Sequence, residues 1–218
     1  MNGFSGCLHT DGYEAYHCKL PPEITVVGCW AHMRRKFTDL LKSLPKEVRD
    51  RSPGQVGLEF CNQLFALEEE YKKQGLSFDQ GFQARLERSK PVAEAFFTWA
   101  KAEYEKNPVP KSMLGAALTY AVRQEGWLMN VFLDGRLELS NNRAERSVRP
   151  FALGRKNWMF SNTPRGADAS AAIYSLVETA KANGLKPFEY LRFLLESLPT
   201  GCSLQDCLPW LPLAHNLR

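Results

Sequence analysis

The chain has 218 residues, 44% hydrophobic and 24% charged, with 28 Lys and Arg against 24 Asp and Glu for a net charge of +4. That balance is ordinary globular content and excludes a disordered polyelectrolyte. It has no run of about 18 uncharged apolar residues, and Met1-Asn2-Gly3-Phe4-Ser5 lacks the charged-then-apolar pattern of a signal peptide, so no membrane partner is expected. The six cysteines (Cys7, Cys18, Cys29, Cys61, Cys202, Cys207) contain no Cys-x-x-Cys pair and read as buried reduced thiols.

In chain order, Gly6 to Tyr13 reads as a short strand that ends in Asp11 and a glycine turn at Gly12, which puts a carboxylate at a strand tip. His9, two residues earlier, faces the same side and is a supporting candidate. The β-branched run Ile24-Thr25-Val26-Val27 predicts a buried strand. Helical spacing of Trp30, Met33, Phe37, Leu40, Leu41 and Leu44 predicts a helix directly after it. The other face of that helix carries Arg34, Arg35 and Lys36, a solvated face if taken alone. Cys29 and His32 have the spacing of half a zinc site, but no second pair accompanies them, so a zinc site is not expected.

Apolar residues then recur at helical intervals from Val56 through Leu64 and Leu67 to Tyr71, from Phe82 to Tyr104, and from Ser112 to Asn130. Pro45, Pro53 and Gly54 mark the entrance to this helical region, Asn107-Pro108-Val109-Pro110 breaks it, and Asp134-Gly135 marks its exit. Its ten acidic and nine basic residues between Val56 and Asn130 nearly cancel, which predicts ordinary solvated faces.

Charge is concentrated further on. From Arg143 to Arg165 six basic residues (Arg143, Arg146, Arg149, Arg155, Lys156, Arg165) surround a single acid, Glu145, at the start of what reads as a short helix. This stretch carries +5 and the rest of the chain −1, a distribution suited to a polyanion. The spacing alone also allows a structural role for Glu145, as the far member of a capping box with Asn142 or as an i,i+4 partner of Arg149. Trp158 is read as a core aromatic rather than a base-stacking one. A helix from about Ala167 to Asn183 closes on Asn183-Gly184. A second opens at Lys186-Pro187 with Tyr190, Leu191, Leu194, Leu195 and Leu198 on its apolar face, and the tail from Leu208 reads as an irregular strap.

The blocks His9-Thr10-Asp11-Gly12-Tyr13; Val27-Gly28-Cys29-Trp30-Ala31-His32 with Arg34-Arg35-Lys36-Phe37; Asn141-Asn142 with Ala144-Glu145-Arg146 and Arg149-Pro150; and Gly154-Arg155-Lys156-Asn157-Trp158 closely resemble the insertion-sequence sixty-six family of bacterial transposases. The likeness continues from Ala172 to Lys181 and to Leu208-Pro209-Trp210, and is weakest from about Arg49 to Leu137. It implies a DDE-type transposase of α/β class, cutting and joining DNA strands in a bacterial cytoplasm. The implied organisation is an incomplete ribonuclease-H-like core over residues 1–48, a large all-helical insertion over 49–138, a closing part of the core with the glutamate helix over 139–198, and a C-terminal strap over 199–218.

By the same resemblance Asp11 matches the family's second catalytic aspartate and Glu145 its catalytic glutamate, both ligands in a two-metal site for Mg2+ or Mn2+. The family's first catalytic aspartate lies upstream of anything present here. The chain is therefore expected to be the carboxy-terminal half of a transposase, from a truncated reading frame or a cut fragment, and inactive alone. The implied DNA-binding residues are Arg143, Arg146, Arg149, Arg155, Lys156 and Arg165, with Arg34 and Arg35. The implied partners are DNA at element ends and target, a second copy or a full-length transposase, and accessory proteins of the same element. The competing reading is a non-catalytic DNA-binding remnant that interferes with full-length transposase.

Overall fold

The computed structural model describes residues 4–13, 20–106, 109, 111–158, 161–211 and 214. Two parallel strands, β1 (Gly6–Thr10) and β2 (Ile24–Gly28), pair in register from Gly6 opposite Ile24 to Thr10 opposite Gly28. The remaining elements are helical: α1 (Trp30–Ser43), α2 (Lys46–Arg49), α3 (Pro53–Lys73), α4 (Phe78–Ala84), α5 (Lys90–Lys106), α6 (Met113–Met129), α7 (Asn142–Trp158), α8 (Pro164–Ala182) and α9 (Pro187–Ser197). The chain is α/β in class, largely helical with one small parallel sheet. It forms two compact units, Met1–Asn142 and Arg143–Arg218.

The first unit is built around α1. Its buried stripe of Trp30, Met33, Phe37, Leu40 and Leu41 is the face that the spacing predicts. Trp30 and Phe37 meet Phe96 of α5 edge-on, with ring centroids 5.4 and 6.1 Å apart. The Trp30 indole N–H donates to the Leu128 carbonyl in the last turn of α6 at 3.1 Å, satisfying one of the four carbonyls a helix end leaves open. Asn130, just past α6, donates through Nδ2 to Val26 O of β2 at 2.8 Å. One core thus runs from β2 and α1 through α3, α5 and α6 to Leu139.

Helix α3 forms where the apolar spacing predicts it and buries two residues of that series, Leu64 and Tyr71, together with Gly54, Gly57, Cys61 and Glu68, whereas Val56 is 39% exposed and Leu67 only partly covered. The reason is steric: a β-carbon at Gly57 would lie 2.5 Å from the Phe37 ring, so α3 approaches α1 most closely through its glycines. Helices α4 and α5 are joined by a π-helical turn, Arg85–Ser89, whose extra residue points Arg85 and Ser89 inward. Arg85 makes a bidentate pair with Glu68 at 2.6 and 2.7 Å and donates to the carbonyls of Gly135 and Leu137 at 3.2 and 2.6 Å. The Tyr71 hydroxyl donates to Ala84 O at 3.1 Å beside it. Asn107, Pro108 and Pro110 of the predicted break lie outside the described residues.

In the second unit α7 is 17 residues long, where the sequence suggests a short helix starting near Glu145. Pro150 removes one N–H, that toward Arg146 O, yet helix formers on both sides (Ala144, Glu145, Arg146; Ala152, Leu153) carry the helix through it. Phe151 of α7 meets Tyr174 of α8 edge-on at 5.2 Å. Helix α8 is capped by Thr163, whose side chain accepts from Gly166 N, and closes through Leu185 N–H to Ala180 O at 3.0 Å, as Asn183-Gly184 predicts. Tyr190 and Leu194 of α9 are buried with Leu185, Cys207 and Ala214, and the Tyr190 hydroxyl donates to Cys207 O at 3.0 Å. Leu195 is 74% exposed and Leu198 38%, so the predicted apolar face of α9 is narrower than its leucines suggest.

The described cysteines are all free. Cys29, Cys61 and Cys207 are buried and burial pushes the Cys61 thiol up to about 12, whereas Cys7 is exposed, contrary to the expectation of uniform burial. Cys18 lies outside the described residues, as do Met159, Phe160 and the side chain of Trp158.

The Glu68–Arg85 pair is the test of this packing. Glu68→Ala strands the Arg85 guanidinium among core helices and is expected to cost about 3–5 kcal/mol in urea unfolding. A loss below about 1 kcal/mol, the range of exposed pairs, would show that water reaches Arg85.

Candidate active site

Parallel strands bring their C-terminal ends to one edge, the usual place for ligand groups in such sheets. Asp11 directly follows β1 at that edge and Cys29 directly follows β2. The half-buried Asp11 carboxylate accepts through Oδ1 from Tyr13 N at 3.0 Å, a local turn that presents the side chain beyond the strand. Gly12 has φ +85, and a β-carbon there would lie 2.9 Å from the Tyr120 hydroxyl. That hydroxyl, on α6, donates to the Asp11 carbonyl at 2.9 Å. Burial above all, with Cys29 and Asp11 nearby, pushes the Tyr120 pKa well above its ordinary 10, so it stays a donor. Lys36 of α1 sits over the Tyr120 ring, 4.6 Å from its centroid.

His9 takes a structural part at this edge: its Nε2 lies 3.0 Å from Gly28 O, which can only accept, so Nε2 carries the proton. Burial lowers its pKa below the ordinary 6.5, against the Gly28 bond and Glu138, and the ring is neutral at pH 7. The segment beyond α6 also returns here. Trp30 N, at the start of α1, donates to Leu139 O at 2.8 Å.

Glu145 lies in the second unit, in the first turn of α7, exposed, as are Arg143, Arg146, Arg149, Lys156 and Arg165. At about 100° per residue, Glu145, Arg146, Arg149 and Lys156 fall within an arc of about 100° on α7, and Arg143 lies outside it. The Arg155 side chain lies outside the described residues. Arg34 is engaged: it donates to Asn62 Oδ1 at 2.7 Å and lies over the Phe65 ring, against α3. Arg35 is exposed, its Nη1 3.5 Å from His32 Nε2. The two predicted carboxylates therefore belong to different compact units, Asp11 to Met1–Asn142 and Glu145 to Arg143–Arg218.

Among the described residues no group of three or more His, Cys, Asp or Glu side chains is placed to hold a metal ion. One donor near Asp11 is nonetheless of the right kind. Gln124 Oε1, beside Gly12, is a buried carboxamide oxygen with no hydrogen-bond partner among the described residues. Hard oxygen donors of this kind, with a carboxylate, suit Mg2+ or Mn2+. The role of Tyr120 and Gln124 is missed by periodicity, although one signal was present: Gln124 interrupts the buried stripe Ala117, Ala121, Leu128 with a polar group.

Comparison with known proteins identifies the chain at this point. Residues 1–169 match the family described as "Transposase IS66 family", and residues 175–210 match the "IS66 C-terminal element". The chain belongs to the IS66 family of transposases. Two relatives from Sinorhizobium fredii (strain NBRC 101917 / NGR234), the uncharacterized proteins y4qI and y4hP, are each 32% identical to it, over 225 and 227 residues. Both alignments cover 96% of this chain and 40% of the relative, so the chain spans well under half the length of the curated relatives it matches. No solved structure matches it. Among the described residues no helix is long and apolar enough to cross a membrane.

Gly12→Ala tests the strand tip. The positive φ and the contact with Tyr120 together are expected to cost about 1–3 kcal/mol, read as a lower midpoint in thermal unfolding. An unchanged midpoint would mean that α6 does not press on Gly12.

Proposed function

We propose that this chain forms part of a DDE transposase site in which Asp11 and Glu145 are two of three metal-binding carboxylates on a ribonuclease-H-like core, and that the site cuts and joins DNA strands. Family membership supports transposition as the process. The observation that supports the site is the place of Asp11 at the C-terminal tip of β1, the edge at which parallel strands present ligand groups. Asp11 and Glu145 would hold divalent cations there, which when bound would supply activation of the attacking oxygen and stabilisation of the leaving one. Asp11 and Glu145 fit as terminal ligands. We assign no third carboxylate among these 218 residues.

The chain's other contribution is to hold DNA. Arg146, Arg149 and Lys156 share the face of α7 that carries Glu145, so phosphates neutralised there lie alongside the carboxylate. Arg143 and Arg165 extend the basic surface of the same unit, Arg155 is assigned with them on family grounds, and Arg35 offers an exposed charge on α1. A second copy, a full-length transposase and accessory proteins of the element remain assigned as partners on family grounds.

Two measurements test this reading. In a crystal structure soaked with Mn2+ the Asp11 and Glu145 carboxylates are expected within about 4–8 Å of each other; a separation beyond about 15 Å would remove the shared site. Duplex DNA binding is expected to weaken with salt at a log–log slope of about −5, reduced by about one for each Arg→Ala change in the cluster. Salt-independent binding, or no binding at low salt, would end the DNA assignment. With two carboxylates only, this chain is expected to bind element ends without nicking them in Mn2+. Nicking that disappears in Glu145→Ala would show that the 218 residues already hold a complete site.

A further inference from the structure

The strand tip that carries Asp11 is not held by the sheet. β1 ends at Thr10, the Asp11 side chain is tied among the described residues to its own turn through Tyr13 N, and the Asp11 carbonyl is held by the Tyr120 hydroxyl of α6 at 2.9 Å. Tyr120 is itself fixed, with Lys36 at 4.6 Å over its ring. One turn further along α6, Gln124 packs its Oε1 3.1 Å from where a Gly12 β-carbon would stand. This oxygen is buried and has no partner among the described residues. An unpaired carboxamide oxygen inside an otherwise apolar helix stripe is costly, and such groups concentrate where function rather than packing decides the residue.

We propose that Tyr120 is a positioning residue for Asp11: through the Asp11 carbonyl it fixes the direction in which the carboxylate leaves the strand, with Gln124 and Gly12 forming the socket that admits no other arrangement. The proposal rests on the reading of Asp11 as a metal ligand and extends it to α6, a helix distant in sequence that supplies no carboxylate to the site. A carboxylate free to swing about its strand tip binds a cation more weakly than one held in place, because the ordering cost then falls on the binding step. Tyr120→Phe removes the hydroxyl and keeps the ring under Lys36, so only the hydrogen bond is lost.

The test is Mn2+ titration of the 218-residue chain, followed by paramagnetic broadening of the backbone amide resonances of Thr10, Gly12 and Tyr13. Wild-type protein is expected to broaden at these amides and Asp11→Asn to lose the effect. Tyr120→Phe is expected to need about five- to tenfold more Mn2+, the equilibrium effect of one hydrogen bond. Asn130→Ala, which removes the hydrogen bond from the end of α6 to Val26, controls for general loosening: its melting temperature should fall while its Mn2+ midpoint stays at the wild-type value. A Tyr120→Phe midpoint equal to wild type, or an equal shift in Asn130→Ala, overturns the positioning role and leaves Asp11 as a ligand. Broadening that is absent from wild type, or retained in Asp11→Asn, overturns the metal reading of Asp11 and the role of Tyr120 with it.

Discussion

Trp30 joins three parts of the first unit that are far apart in sequence. Its backbone N–H holds Leu139, its indole N–H holds the end of α6 at Leu128, and its ring lies against Phe96 and Phe97 of α5 at 5.4 and 5.6 Å. Each contact fills a need that exists before folding: an open N–H at a helix start, an open carbonyl at a helix end, and a large apolar ring whose burial is worth about 2–3 kcal/mol. Because Trp30 follows β2 by two residues, these contacts also decide what surrounds the C-terminal edge of the sheet. The surroundings of the sheet's C-terminal edge are therefore organised by the residue that opens α1.

The elements nearest Asp11 were legible because their signals are local. The glycine turn after Asp11 marked the end of β1, the β-branched run Ile24 to Val27 marked β2, and the 3.6-residue period of Trp30, Met33 and Phe37 marked α1 with its buried face. Long-range closeness was not legible. The stripe on α3 turns on glycines, which carry no hydrophobic signal, and the Glu68–Arg85 pair depends on a π-turn that rotates Arg85 inward. On α9, leucine content overstated the buried face, since helix formers of high propensity occur on exposed faces as well.

The candidate site divides in the same way. Asp11 stood out as a carboxylate before a glycine turn, and Glu145 as one acid among arginines. Composition registered the six basic residues but not their directions, which only the helix through Pro150 sets: Arg146, Arg149 and Lys156 share a face with Glu145, and Arg143 does not. Arg34, assigned to DNA with Arg35, is exposed and also bonds Asn62 and lies over Phe65, contacts across 28 and 31 residues that no local pattern announces. Tyr120 lies 109 residues from Asp11, beyond any pattern read in a window.

That separation has a consequence for the order in which the molecule is made. Pairing β1 with β2 closes a short loop, but the Asp11 carbonyl is held only after α6 has formed and docked, a contact across most of the first unit, and contacts of such long separation form late because loop closure must come first. On the ribosome, synthesis runs from the N-terminus, so Asp11 emerges more than a hundred residues before its partner. During that interval the β1 tip is a solvent-facing turn with no Tyr120 to hold it. The carboxylate acquires its final direction as the first unit closes, which ties the readiness of the site to completion of that unit rather than to formation of the strand that bears it.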